Sequence, residues 1–582
     1  MNKIKIKLRF DLNFLLLIAV LVFHQANCFS QPNDVIVITG EGLREVEPAF
    51  RIKESPVLND TNIFAKITEY PRLILQHESK AIANTIKPGK LKTSRRNSKL
   101  YNGYAKLGIG SQLMPIAEIQ YGSSRDKEHL FGAYAKHLSS FSKIRDYAPA
   151  QFDRTRAGLF GSILKRKFTL SGGLHYKTHG FHYYGWPNSG DTVQSIDIAQ
   201  RYQNIAVTSK FASHKKDSAN LNYSIALNYN HFNTKKPLED SLFAWRAKEN
   251  NVFFNSRFWY KHGKELFSTD LNVQYNGFIY GMPDSSISAI DTGYTLNNTI
   301  ISLSPNIVTQ FMNNRFRIEV GLNLVLDIHN KTKFYVFPKA EVKYSLFNDI
   351  FIPYAGITGG IKQQTLNQLS QVNEFVVPQV HLRNEKNPFS FYAGIKGVVS
   401  KRMSFNSSFT FSSINDKLFF VLDTNNLQPS KFNLAYDSLK VSKIEGSISY
   451  QISEKLKADA IGRFYSYELK NNSYAWYMPQ FEFITRASYN LFNKFIFNVD
   501  LTVETGRKML LINEEEGSFI ENDQIIKDLG ALFDMNVGVE YRYNKRISAF
   551  VQFNNTAAQR YLKWHNYPVQ GFQLMGGVTA RF

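Results

Sequence analysis

From Tyr101 to Phe582 the chain alternates apolar and polar residues, in runs of about ten or more broken by turns. Few folds accept that pattern. Successive side chains of a strand point to opposite faces, so each run has one greasy face and one polar face. Strands in soluble sandwiches average about 5–6 residues, whereas about 9–11 residues cross a bilayer at a tilt. Lipid offers no partner to a bare peptide group, and a closed barrel satisfies all of them between its strands. The pattern predicts an all-β fold, a transmembrane antiparallel β-barrel with a polar lumen, set in an outer membrane.

Individual segments carry the reading. Phe316, Ile318, Val320, Leu322, Leu324, Leu326 and Ile328 are expected to face lipid, with Arg317, Glu319, Asn323 and Asp327 facing the lumen. Phe495, Phe497, Val499, Leu501 and Val503 should face out against Asn498, Asp500, Thr502 and Glu504. Leu221, Tyr223, Ile225, Leu227 and Tyr229 should do the same against Asn222, Ser224, Asn228 and Asn230. The last strand stops on an aromatic, Phe582.

Outer-membrane barrels pair short periplasmic turns with longer outer loops, which allows the strands to be counted. Read backward from Phe582, short turns fall at 544–546, 492–494, 453–455, 400–402, 347–349, 312–315, 262–264, 214–217, 165–167 and 124–127. Mostly longer loops separate them, near 140–153, 179–200, 232–246, 281–296, 363–387, 414–440, 507–532 and 557–570. With a free strand at each end, these turns imply about 22 strands.

The N-terminus reads as an export signal over residues 1–30. Lys3, Lys5, Lys7 and Arg9 precede an apolar core from Phe14 to Phe23, too short to span a bilayer. Cleavage near Ser30 would remove Cys28, the only cysteine, and with it disulfides, thiolate metal sites and cysteine nucleophiles. Residues 31–100 form a separate periplasmic or lumenal segment, rich in proline and poor in alternation, before the barrel at 101–582. The segment ends in a basic stretch, 87–99, readable as a solvated linker or a periplasmic contact.

The formal net charge of +22 suits anionic partners. Nucleic acid is a poor partner for an exported chain. Outer-membrane lipid and lipopolysaccharide fit better, as does a simply solvated lumen.

A barrel of about 22 strands encloses a wide lumen that must be filled. The N-terminal segment, folded loops or a partner could fill it. One short strand stands out upstream: Asp34, Val35, Ile36, Val37, Ile38 and Thr39, followed by Gly40. With the strand count and the terminal aromatic, it resembles TonB-dependent receptors, in which a short extended N-terminal motif adds to a sheet edge of TonB. Those receptors carry a plug longer than the 31–100 segment allows. Tyr101 to Gly110 and Tyr134 to Ser140 resemble a plug-less group of outer-membrane proteins related to them. The resemblance implies a receptor-type barrel in solute uptake or exchange, with TonB or another periplasmic or outer-membrane protein as partner. Another reading is a structural or accessory subunit of an outer-membrane complex, suggested by the short N-terminus.

No catalytic or metal-binding residue and no cofactor is identified, and the chain is not read as an enzyme. His175, His179 and His182 cluster, but no Cys, Asp or Glu in that stretch completes a ligand set. Glu514, Glu515 and Glu516 read as a solvated acidic loop or a cation site. Trp186, Trp245, Trp476 and Trp564 fall in or beside outer loops, and Trp259 near a periplasmic turn. An aromatic girdle at the membrane interface accounts for them; stacking platforms for a ring-shaped ligand are the alternative.

Overall fold

The computed structural model describes residues 100–123, 126–187, 198–214, 221–235, 246–281, 294–423, 431–452 and 455–582. The export signal, the strand at 34–40 and the basic stretch at 87–99 lie outside the described residues. The chain divides into two units, Met1–Arg96 and Asn97–Phe582. The second is the barrel.

Its main sheet has 22 strands, all antiparallel. Each strand pairs with its neighbour along the chain, and the first, Gly103–Gly110, closes on the last, Gln573–Arg581, with Leu107 opposite Val578. Closure removes both edges of the sheet.

Register sorts the side chains onto two faces. Between Phe495–Thr505 and Leu532–Arg542, Phe495 meets Tyr541, Phe497 meets Val539, Val499 meets Val537 and Leu501 meets Met535. In the alternate positions Asn498 meets Gly538, Asp500 meets Asn536 and Thr502 meets Asp534. The rings of Phe495 and Tyr541 lie 5.0 Å apart, and both stay exposed on the outer face, as do Val320, Leu322, Leu221 and Leu227. Asn222, Val325 and Asp327 are buried on the inner face. A greasy surface left open around the whole cylinder is what acyl chains would cover.

The expected short turns all fall between paired strands. Several use the left-handed backbone that a tight hairpin requires: Met312, Asn313 and Asn314 have φ of 51°, 56° and 66°, and Phe347, Asn348 and Asp349 have 52°, 55° and 67°. Asn and Asp tolerate that region, and its twist matches the flanking strands.

One expected loop is wrong. The region 414–440 is mostly strand: Met403–Leu422 and Phe432–Ile452 run together until Leu422 meets Phe432. Asn415, Asp416 and Lys417 fall at the start of the expected loop, but a bulge between Ile414 and Lys417 absorbs them, with Asp416 at φ 54°. Beyond the bulge the ladder resumes. These two strands extend past their neighbours and support the outer loops.

Candidate functional site

The lumen is crossed at its outer end by the connection 363–384. Its short helix α1, Leu366–Val372, is capped by the Thr365 side chain, which accepts from Gln368 N at 3.2 Å. A second acceptor comes from the wall. Glu249 is fully buried, and its carboxylate accepts from Leu366 N at 2.8 Å, Asn367 N at 2.9 Å and Asn276 Nδ2 at 2.9 Å. A helix start exposes unpaired N–H groups and partial positive charge, so a carboxylate there satisfies both. Gln363 donates to Asn298 O at 2.9 Å, and Asn384 donates to Asp327 at 2.8 Å. Both ends of the connection are therefore tied to the same wall.

Its middle reaches across. Tyr202 donates to Glu374 O at 2.8 Å from one side. From the other, Phe432 N donates to Phe375 O at 3.1 Å and Val377 N to Phe432 O at 2.8 Å. The Phe375 ring stacks on Tyr567 at 3.6 Å between centroids and meets Phe181 and Tyr184 edge-on. Leu366, Leu369, Val376, Val377, Val380 and Leu382 are all buried. Each such side chain is worth about 1.5–3 kcal/mol when fully buried, so the connection acts as a strap held across the barrel.

Neighbouring loops build cores of their own at the same end. Lys508–Leu511, Ser518–Glu521 and Gln524–Asp528 form a small sheet of their own. Trp476 is buried with Phe419, Leu439 and Ile526 beneath it. Trp564 packs among Phe420, Phe432 and Tyr477. Trp476 and Trp564 thus serve loop cores, not the lipid interface to which an aromatic girdle assigns them. Trp186 packs against the same core as Phe375. Trp245 lies outside the described residues, and Trp259 pairs across the inner face with Asn222 and Ser268.

Beside the strap lies a cavity of about 610 Å³. The barrel wall contributes Phe152, Arg154, Arg156, Lys177 and His179, and the facing wall Asp534 and Asn536. The strap supplies Gln371, Glu374 and Phe375, and the loop before the last strand supplies Tyr561 and Lys563. Arg154 holds the Glu374 carboxylate at 3.3 Å. Arg154 Nε also donates to His179 Nε2 at 3.2 Å, so that nitrogen is an acceptor and the ion pair belongs to Arg154. Burial pushes the Glu374 carboxyl above the usual carboxylate range, while the Arg154 and Lys563 charges pull against it.

The three clustered histidines do not converge. His175 pairs with Tyr134 at 3.0 Å, His179 lies beside Arg154 and Glu374, and His182 meets Gln151 O at 2.6 Å. No group of three or more His, Cys, Asp or Glu side chains able to hold a metal occurs among the described residues. Glu515 is engaged by Lys527 at 2.9 Å and lies 3.4 Å from His565.

No family model matches the chain, and no curated protein matches it. Solved structures do. The pyoverdine outer membrane receptor FpvA from Pseudomonas aeruginosa PAO1, bound to pyoverdine, is similar with a TM-score of 0.61 and 11% identity, over 83% of this chain and 79% of that one. The FrpB iron transporter from Neisseria meningitidis gives 0.62 and 10%, over 84% and 82%. The copper transporter OprC gives 0.59 and 11%, over 82% and 80%. At such identity the likeness is one of fold, the 22-stranded barrel of outer-membrane transport receptors, and the chain is an outer-membrane protein.

Proposed function

We propose that the chain is a receptor-type transporter that admits a solute through the outer membrane, with the strap 363–384 as its closure. The observation that carries this reading is the strap itself: a buried, hydrogen-bonded segment drawn across the outer end of a barrel too wide to be left open. A purely structural subunit has no need of a cavity lined by charged groups beside such a closure. The likeness to a pyoverdine receptor and to iron and copper transporters supports the class of protein and leaves the solute to the chain's own residues.

The energy source follows from the sequence resemblance. Asp34, Val35, Ile36, Val37, Ile38 and Thr39 would pair as an added strand with TonB, whose main-chain hydrogen bonds ask little of the sequence. Cells expressing the chain should deplete one or more solutes from a defined medium, read by mass spectrometry against cells lacking it. Deleting residues 34–40 should abolish that depletion. Depletion that continues unchanged in the deletion removes the TonB part of the proposal, and no depletion by the intact chain removes uptake altogether.

A further inference from the structure

The inner wall beside the strap keeps an arrangement that folding alone does not favour. At one level of the barrel, Glu118 stands opposite Lys136, Lys136 opposite Arg156 and Arg156 opposite Lys177, on successive strands. Glu118 is engaged by Lys136 at 2.7 Å. Arg156 and Lys177 have no ion pair or side-chain hydrogen bond among the described residues, though both line the cavity. Directly opposed side chains have Cβ atoms about 4.5–5.5 Å apart, and like charges so placed are destabilising. Lys563 approaches from the loop above, likewise without an ion pair among the described residues. Of the acids nearby, Glu374 is held by Arg154 and also feels the Lys563 charge, Glu504 lies 3.6 Å from Arg507 and feels Lys563 as well, and Asp534 engages the Tyr561 hydroxyl, so no acid pairs with Arg156 or Lys177 among the described residues.

We infer that this cavity binds a small organic polyanion, carrying two or more carboxylate or phosphate groups, through Arg156, Lys177 and Lys563. One level higher, Arg154 already holds an oxyanion, the strap's Glu374 carboxylate, which shows that this wall accepts such a group. Arg156 offers a planar fork suited to two oxygens at once, and the two lysines offer point charges that follow less exact geometry. Phe152, Tyr184 and Phe375 supply apolar surface for the carbon body of the solute. The volume lies within the roughly 300–1,000 Å³ of small-molecule sites. A bound polyanion would neutralise the opposed cations and replace repulsion by charge-assisted hydrogen bonds. The inference deepens the uptake reading, and it rests on that reading for the claim that the bound solute is the one carried.

The test is calorimetric titration of the full-length chain in detergent, at low ionic strength, with citrate and separately with pyrophosphate. Either or both should bind, citrate alone marking a carboxylate ligand and pyrophosphate alone a phosphate one. The Arg156→Gln/Lys177→Gln variant should weaken binding tenfold or more, and Lys563→Gln severalfold. Lys264→Gln, at a distant turn, should leave it unchanged. Lys563 lies in a loop, so its variant remains informative should the double wall variant fail to form a barrel. Failure of both probes to bind the wild-type chain overturns the site, as does binding that the cavity variants leave intact. Binding without any solute uptake by cells sinks the transport reading and spares the site; uptake without polyanion binding does the reverse.

Discussion

Two walls of the same lumen face the strap and differ in kind. On one, the buried acids Glu249 and Asp327 both accept hydrogen bonds within the fold. Glu249 caps helix α1, Asn276 donates to it, and Asn384 bridges Asn298 and Asp327. On the other, Lys136, Arg156 and Lys177 stand in a row with one acid at its end. Both are polar strand faces and look alike in composition. The first is a hydrogen-bonded network that reaches the strap at Leu366, Asn367 and Gln363, so its function is to hold the strap. The second is left short of negative charge, and such a shortfall is where an external ligand gains most.

The strongest way to break the comparison is to remove the anchor of the wall that holds the strap. Glu249→Ala leaves two helix N–H groups and Asn276 without their acceptor in a buried place. Unsatisfied buried groups cost about 1–3 kcal/mol each, so the strap should detach before the barrel unfolds. Hydrogen exchange should show lost protection over 366–382 with the strands unaffected, and planar-bilayer conductance should rise from near closed to that of a wide pore. A variant that keeps strap protection and stays closed would mean that Glu249 is incidental.

A smaller effect concerns the loops above the strap. Burial holds the His565 imidazole below its usual pKa, with Lys527 adding to the depression and Glu515 opposing it. The folded loop therefore keeps His565 neutral, while the unfolded loop takes up a proton below about pH 6.5. Loop stability is full above that pH and falls as the pH drops toward the depressed folded value. The loss is limited to about 1.4 kcal/mol per pH unit. Hydrogen exchange over 562–568 at pH 7.5 and 5.5 should show the weakening, and His565→Gln should flatten it.

How much of this could be read beforehand depends on the range of the interaction. Strand alternation is local, so Phe495, Val320 and Leu227 declared their outward face in the sequence alone. So did the turns at Asn313 and Asn348, whose residue types suit a left-handed backbone. The strap was legible only as a long loop at 363–387. Its role depends on Glu249, 117 residues before Leu366, and on Tyr567, 201 residues after it. A lone Glu in an inward position gives no sign that a helix will land on it. The cationic row was hidden for the same reason. Lys136, Arg156 and Lys177 are spaced without period along the chain, and only register sets them side by side. One local signal existed, an excess of positive charge among the inward positions of those strands, and it reads equally well as a solvated lumen.

The smallest expected effect separates the two walls most sharply because its sign is unusual. Replacing a charged residue of a satisfied network destabilises, since its partners are stranded. Replacing Lys177 by Gln removes one of two like charges directly opposed across a strand pair, and nothing is left unpaired. In anion-free buffer of low ionic strength, K177Q should therefore unfold at a slightly higher urea concentration than the wild type, by about 0.2–1 kcal/mol. Salt should shrink the difference by screening the repulsion in the water-filled lumen. Millimolar citrate or pyrophosphate should reverse it, because the wild type then gains a ligand that the variant holds poorly, and binding to the folded state alone adds stability. A structural lysine gives loss under every condition, and a merely solvated one gives no change under any. Only a cation kept in place for a ligand changes sign when the ligand is supplied.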